Sequence, residues 1–482
     1  MIQAENEAPV LRTFQLRNLD SMPNIDRLSD EQRFAIEVVG RVLPFKTNSY
    51  IAEQLIDWDA VPDDPMFRLT FPQQGMLHEE DFSVLAGLLK GSASADAIDD
   101  AVRRVQRSLN PHPSGQVSLN TPWLNGLPLP GMQHKYRETV LFFPSQGQTC
   151  HAYCSYCFRW PQFVNLDDLR FASKESHAVL DYLRQHPHVT DVLITGGDPL
   201  IMRTGVLRRY IEPLLAPEFE HVNIRLGTKA PAYWPYRFTT DSDADDLLRL
   251  FEEVIGARRH LALMAHYSHP RELSTAAAER ALERITATGA VVRCQSPLIR
   301  QVNDSANTWA ELVRRQVRAG AIPYYMFVER DTGARDFFSV PLARALEVFN
   351  GAHARVSGLS RTLRGPVMSA LPGKIMVDGV AHVANEKVFV LKMLQGRNPD
   401  WVNRVFFARF DPAATWYDDL SPAFGAREFF FEPEMSAAPE TGSFIDHVLG
   451  NGAQHGNGGR LDETADVEVT VLPRQPEHVD SA

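Results

Sequence analysis

From about residue 138 onward, short apolar runs alternate with longer amphipathic stretches. The runs TVLFFP (139–144), DVLIT (191–195), VNIRL (222–226), HLALMAH (260–266), AVVRCQ (290–295) and IPYYMFV (322–328) are rich in β-branched and aromatic residues, and each predicts a strand. Between most of them lie stretches such as SKESHAVLDYLRQH, DADDLLRLFEEVIG, TAAAERALERITATG and SANTWAELVRRQVRAG, whose apolar residues recur at helical spacing. Strand and helix therefore alternate about every 30 to 50 residues, the pattern of parallel βα units. Right-handed crossovers curl such a series into a full or partial barrel, and its chemistry is expected at the C-terminal strand ends.

The chain up to about residue 130 reads differently. SDEQRFAIEVVGRVL predicts a helix with Ser29 as its N-cap, and the proline-rich IDWDAVPDDPMFRLTFP predicts an extended connection. Beyond about residue 435, MSAAPETGS and GNGAQHGNGGRLDETADVE lack periodicity and predict a disordered tail, in which His447 and His455 are solvated rather than ligands. The expected division is a helical region over 1–130, a βα barrel over 131–375, a C-terminal α/β extension over 376–434 and a tail over 435–482.

Charge narrows the class of partner. Sixty acidic against 49 basic residues leave −11 at pH 7, which opposes non-specific binding to nucleic-acid phosphates or an anionic membrane. No apolar run approaches the ~20 residues of a membrane span, and MIQAENEAPVLRTFQ lacks the layout of a secretion signal, so a cytoplasmic location and a small-molecule partner are expected. Four cysteines in 482 residues do not make a disulfide framework, and a reducing compartment leaves them free to bind metal.

Three of those four, Cys150, Cys154 and Cys157, fall in TCHAYCSYCFRWPQF, just after the first predicted strand. Sulfur-only ligation suits zinc or an iron–sulfur cluster. A structural zinc site wants four protein ligands, and the remaining cysteine, Cys294, lies about 140 residues away in a predicted core strand. An iron–sulfur cube held by three thiolates instead leaves one iron open. One βα unit later, LITGGDPL (193–200) places two glycines and Asp198 at a strand end. That stretch reads either as a ligand-cradling turn or as a tight turn with Asp198 capping a helix.

The C-x3-C-x2-C spacing with Tyr156 before the last cysteine resembles the radical S-adenosylmethionine superfamily. From about residue 40 to 385 the blocks TNSYIAEQLIDWDAVPDDPMFR, CHAYCSYCFR, LITGGDPL, IRLGTKAPAYWPYRFT, HYSHPREL, RCQSPLIRQVND, IPYYMF and VSGLSRTLRGPVMSALPGK resemble, in order, the lysine 2,3-aminomutase family. The resemblance implies a partial (β/α)6 radical S-adenosylmethionine barrel that moves an α-amino group to the neighbouring carbon. It also implies three cofactors: a [4Fe–4S] cluster on Cys150, Cys154 and Cys157, S-adenosylmethionine, and pyridoxal phosphate held covalently by Lys374. By the same resemblance Gly196, Gly197 and Asp198 hold the methionyl amine, Arg159 the substrate carboxylate, and Lys135 the cofactor phosphate with Arg137 beside it. The family's second phosphate arginine falls on Thr139, and Tyr156, His266, Gln295 and Arg237 match positions near the cofactors.

Lysine-specific members read the distant ammonium with two aspartates. Here the matching positions are Ser369 and Arg330, or Asp331 if the loop shifts by one residue. A pocket with Arg330 and Ser369 is expected to reject lysine and accept an anionic, polar or short side chain, glutamate among them. No cysteine follows Cys294, so the family's C-terminal zinc site is expected to be absent and a homo-oligomer to be held by other contacts. A reducing partner such as flavodoxin or ferredoxin is implied. Two other readings stand beside this one: a radical enzyme of another class, such as an epimerase, dehydratase or protein-modifying enzyme, and a zinc-stabilised binding protein without activity.

Overall fold

The computed structural model describes residues 9–437 apart from 112, 117, 165–171 and 174–175, together with 444, 445, 447 and 448. Its centre is an eleven-stranded sheet whose spatial order equals its chain order. The strands are β1 (Met132–Tyr136), β2 (Thr139–Phe142), β3 (Asp191–Ile194), β4 (Asn223–Thr228), β5 (Leu261–His266), β6 (Val291–Leu298), β7 (Ile322–Val328), β8 (Arg364–Ser369), β9 (Gly373–Val383), β10 (Glu386–Gly396) and β11 (Val405–Arg409). The pairings from β2 through β8 are parallel, whereas β1 and β9–β11 run antiparallel to their neighbours.

All six strands read from the apolar runs are present as β2–β7, and the amphipathic stretches between them form helices Ser176–Gln185, Ala244–Gly256, Ala276–Ala287 and Ala306–Arg318. The parallel series is one strand longer than the expected six. β8, in RGPVMS, was hidden by its glycine and proline, which weaken any strand pattern. The extension after residue 376 is built chiefly of strands, and β9 itself crosses that boundary. A two-residue turn joins β9 to β10, with Ala384 and Asn385 both at positive φ, as a turn that follows the twist of a hairpin requires.

The sheet is curved. A flat sheet would hold β1 and β8, seven strands apart, about 34 Å from each other. Yet Lys135 on β1 donates to the Ala370 carbonyl just past β8, and Lys374 Nζ on β9 lies 4.4 Å from the centre of the Tyr136 ring. The two flanks of the parallel series therefore face each other across a hollow, which is where the strand ends deliver their loops.

Ahead of the sheet, helices Asp30–Val42, Pro65–Thr70, Glu79–Lys90 and Ala95–Ser108 occupy the N-terminal region. Ser29 caps the first of them, its Oγ accepting from Gln32 N while Gln32 Oε1 accepts from Ser29 N at 2.9 Å. The main core runs through the N-terminal helices and the parallel strands, and a second core, with Trp401, Phe406, Phe431 and Phe444, lies under β9–β11. Most of the tail beyond 435, including His455, lies outside the described residues. No helix among the described residues is long and apolar enough to cross a membrane.

Candidate active site

A cavity of about 320 Å³ opens where the parallel strands end, and the loops after β2, β3, β4 and β7 supply much of its wall. Cys150, Cys154 and Cys157 lie on one side of it, Gly196, Gly197 and Asp198 on the next turn, then Lys229, His266, Gln295 and Arg330, and finally Ser369 and Lys374. Cys150 and Lys374, 224 positions apart in sequence, thus share one enclosure, as the βα architecture predicts.

The cysteine loop and the glycine turn are packed backbone to backbone. Asp198 N donates to Thr149 O at 2.8 Å, and a Cβ at Gly197 would sit 2.4 Å from that same oxygen. Gly196, at φ +154°, turns its carbonyl to Arg159 Nη1 at 3.0 Å. Asp198 is wholly occupied: its carboxylate accepts from Leu200 N, Lys229 N and the Thr228 hydroxyl at 2.8–2.9 Å. The capping role considered for Asp198 is therefore present, and the glycines are required by the close approach of the two loops. Gly197→Ala is expected to lower unfolding stability by about 1–3 kcal/mol, because the clash is with backbone. Urea denaturation checks this, and an unchanged midpoint would show that the loops part freely.

Burial sets the electrostatics of the thiols. It pushes all three upward, Cys157 to about 12, so in the metal-free chain they are protonated. Among the described residues no three His, Cys, Asp or Glu side chains stand so as to share a single metal ion, and the three thiols are not a ready-made zinc site. An iron–sulfur cube offers each thiolate its own iron, and three cysteines on one cavity-lining loop supply its donor set.

Positive charge dominates the rest of the wall. Lys374, half-buried at the start of β9, donates to Gln395 Oε1, and its Nζ lies over the rings of Tyr136 and Tyr325 at 4.4 and 5.7 Å. Burial, helped by Arg225 and Arg364, drives its ammonium down to about 7. Lys135 is buried and lowered well below the ordinary lysine range by burial and by Arg397, Arg330 and Lys374. Arg397 is fully buried and donates only to carbonyls, of Leu371, Leu119 and Ser114. Arg330 Nε is buried without a partner, while its guanidinium and that of Arg159 lie 4.8 and 5.1 Å from the Phe158 ring centre. Asp331 offsets part of the charge on Arg330 and Lys135, and the excess of cations around a depressed lysine amine fits an aldehyde cofactor that carries a phosphate, since a buried charge calls for a counter-charge.

The remaining sequence-derived candidates divide. His266 Nε2 is bonded to Gln295 Nε2 at 2.8 Å, and burial drives the ring down to about 3, leaving it neutral. Arg159 also donates to Thr195 Oγ1 at 2.8 Å, and Tyr156 and Thr139 line the cavity. Arg137 does not belong to the wall: it lies exposed in the β1–β2 turn, at the N-terminal end of β2, 3.8 Å from Glu138. Arg237 is likewise elsewhere, buried against Asp243 at 2.9 Å. Of the alternatives at the β7 loop, Arg330 lines the cavity; Asp331 does not, and its Oδ2 accepts from Asn110 at 3.1 Å.

Sequence reasoning missed four residues here. Glu329 lines the cavity beside Arg330, and burial pushes its carboxyl up to about 8. It was legible in principle, as a carboxyl at the C-terminal end of a predicted strand. Lys229 and Tyr233, inside the block IRLGTKAPAYWPYRFT, and Arg397 carry no local signal.

No protein-family model matches the chain. A protein of Aquifex aeolicus, provisionally named L-lysine 2,3-aminomutase, is 30% identical over 407 residues, 84% of this chain and 95% of that one. The L-lysine 2,3-aminomutase of Clostridium subterminale is 30% identical over 232 residues, 48% of this chain and 52% of its own length. That of Bacillus subtilis is 24% identical over 346 residues, 72% of this chain and 63% of that protein. Among solved structures, a radical SAM methyltransferase from Sphaerobacter thermophilus covers 46% of this chain and 66% of its own at a TM-score of 0.34 and 16% identity.

Proposed function

The chain belongs to the lysine 2,3-aminomutase family, a family of isomerases, and on that premise we propose that it is a radical S-adenosylmethionine, pyridoxal-phosphate-dependent amino-acid 2,3-aminomutase on a partial barrel. One observation carries the reading: a single cavity presents three cysteines from one loop and a lysine whose amine is depressed to about 7. When bound, the cluster and S-adenosylmethionine supply a carbon radical that removes an unactivated hydrogen, and pyridoxal phosphate supplies the conjugated system through which nitrogen migrates.

The chain's own residues have separable tasks. Cys150, Cys154 and Cys157 would hold the cluster. Lys374, about half neutral at pH 7, would form the covalent link, with Gln395 orienting its nitrogen. Lys135 and Arg397 would balance the phosphate, and Arg159, anchored on Thr195 and Gly196, would meet the substrate carboxylate. The curved sheet and its loops would keep water from the radical. The chain would work in the cytoplasm with an external low-potential donor such as flavodoxin or ferredoxin.

For the substrate, the pocket favours an acidic or uncharged amino acid. Arg330 lines the wall and Asp331 is held by Asn110, while Glu329 keeps its proton up to about 8 and so does not cancel the guanidinium at neutral pH. An ammonium facing Arg330 would add repulsion, whereas a carboxylate would replace lost hydration. Anaerobic incubation with glutamate, aspartate, alanine, lysine and arginine should yield a β-amino acid. The best acidic or uncharged substrate should exceed lysine at least tenfold in kcat/KM, about 1.4 kcal/mol. A tenfold preference for lysine or arginine would place the side-chain reader elsewhere, and radical cleavage without any β-amino acid would favour a different reaction class.

A further inference from the structure

Building on the cluster assignment above, we propose that the hydroxyls of Tyr233 and Tyr156 donate hydrogen bonds to the Cys154 thiolate and thereby raise the reduction potential of the cluster it holds. Cys154 Sγ lies 3.7 Å from the Tyr233 hydroxyl, and Tyr156 is the other phenol that acts electrostatically on the same sulfur. Both rings are buried. In the metal-free chain the thiol is the donor to Tyr233. A ligating thiolate has no proton to give, so the bond reverses and the phenol donates.

Proton counting allows the same direction at Tyr156. Its hydroxyl bonds Ser268 Oγ at 2.8 Å. Ser268 Oγ in turn accepts from Ser296 Oγ at 3.0 Å and from Lys229 Nζ at 3.4 Å. Ser296 has a single proton, for which the Pro297 carbonyl at 3.1 Å competes; when Ser268 accepts from Ser296 and Lys229, its own proton goes to Tyr156 and the Tyr156 proton is left for the sulfur. Lys229, which is paired with the fully buried Glu272 at 2.6 Å, also sits 4.4 Å from the centre of the Tyr233 ring. A cation on the ring draws electron density from the phenol and strengthens its hydroxyl as a donor.

Reduction adds one electron to the cluster from an external low-potential reductant, and no proton need move. Hydroxyls on a ligating sulfur stabilise the added negative charge, which is how hydrogen bonds set such potentials. The test uses the full chain, reconstituted anaerobically as wild type, Tyr233→Phe and Tyr156→Phe, without S-adenosylmethionine. Iron and sulfide content are measured first, then the potential by titration with dithionite, followed by electron paramagnetic resonance. Each variant should keep its iron and show about a tenfold lower ratio of reduced to oxidised cluster at a fixed ambient potential, about 59 mV for a one-electron couple. Loaded variants that match the wild-type potential overturn the proposal. If one variant takes up no iron, the other decides; if neither does, the hydroxyls are needed to build the site rather than to tune it, and the proposal falls. A wild-type chain that binds no cluster overturns the functional reading itself, a distinguishable failure.

Discussion

Alanine at Cys150, Cys154 or Cys157 is expected to empty the iron site and abolish reductive cleavage of S-adenosylmethionine, while Cys294→Ala leaves both intact. A cube held by three thiolates has no spare ligand, so each loss leaves two attachments. Removing an outer-shell partner of a metal ligand already costs about 10–100-fold in affinity or activity, and removing a ligand itself should exceed that. Cys294 makes a clean control. It lies on β6, 1% exposed, packed into the main core, and burial raises its thiol further from ionisation than any sensible working pH. Its truncation should cost about 1 kcal/mol of stability through the small cavity left behind. Iron analysis and the yield of 5′-deoxyadenosine decide the matter. Wild type should bind about four irons per chain, and a Cys294→Ala protein without iron, or a Cys154→Ala protein with a full complement, would displace the ligand assignment.

What the chain's pattern disclosed, and what it concealed, follows from where each residue finds its partners. β2–β7 were legible because a strand in a parallel sheet is covered on both faces and reads as an apolar run. β1 was not, because MQHKY is polar although all five residues are buried. Their polar atoms are satisfied at a distance, Gln133 by the Gln116 carbonyl and His134 by the Tyr182 hydroxyl, and hydrophobic periodicity cannot register that. The β9–β10 hairpin escaped as well, since its turn uses Ala384 where glycine or asparagine would have announced a positive φ.

The site divides in the same way. Cysteines four and three residues apart, and a lysine in a family block, are local signals. Tyr233 meets Cys154 across 79 positions and Arg397 reaches Ser114 across 283, so only the folded chain reveals them. Arg137 shows the converse error. It lies two residues from Lys135, yet the chain reverses at that point, and the turn carries its side chain out to solvent.

The other large effect concerns Lys374. Pyridoxal phosphate added to the chain and reduced with borohydride should be fixed to this lysine alone, and Lys374→Ala should remove the label and all turnover. The argument is acid–base. An ordinary lysine, with a pKa of about 10.4, is only about one part in 2,500 neutral at pH 7. An amine at about 7 is half neutral there, roughly a thousandfold advantage as a nucleophile. Labelling by Lys374 should therefore rise with pH and level off just above 7, whereas a surface lysine would keep climbing toward 10. Folding should sense the same depression. The unfolded chain holds a proton on this lysine up to about 10.5 and the folded chain only up to about 7, so this group's contribution to stability rises as pH climbs through that window and falls as pH drops back. Lys374→Met should flatten that part of the stability-against-pH curve. Peptide mapping of the reduced adduct is the direct check. A label on Lys135 or Lys229 instead, or a labelling rate that is still climbing at pH 9, would remove the chemical basis for the aminomutase assignment.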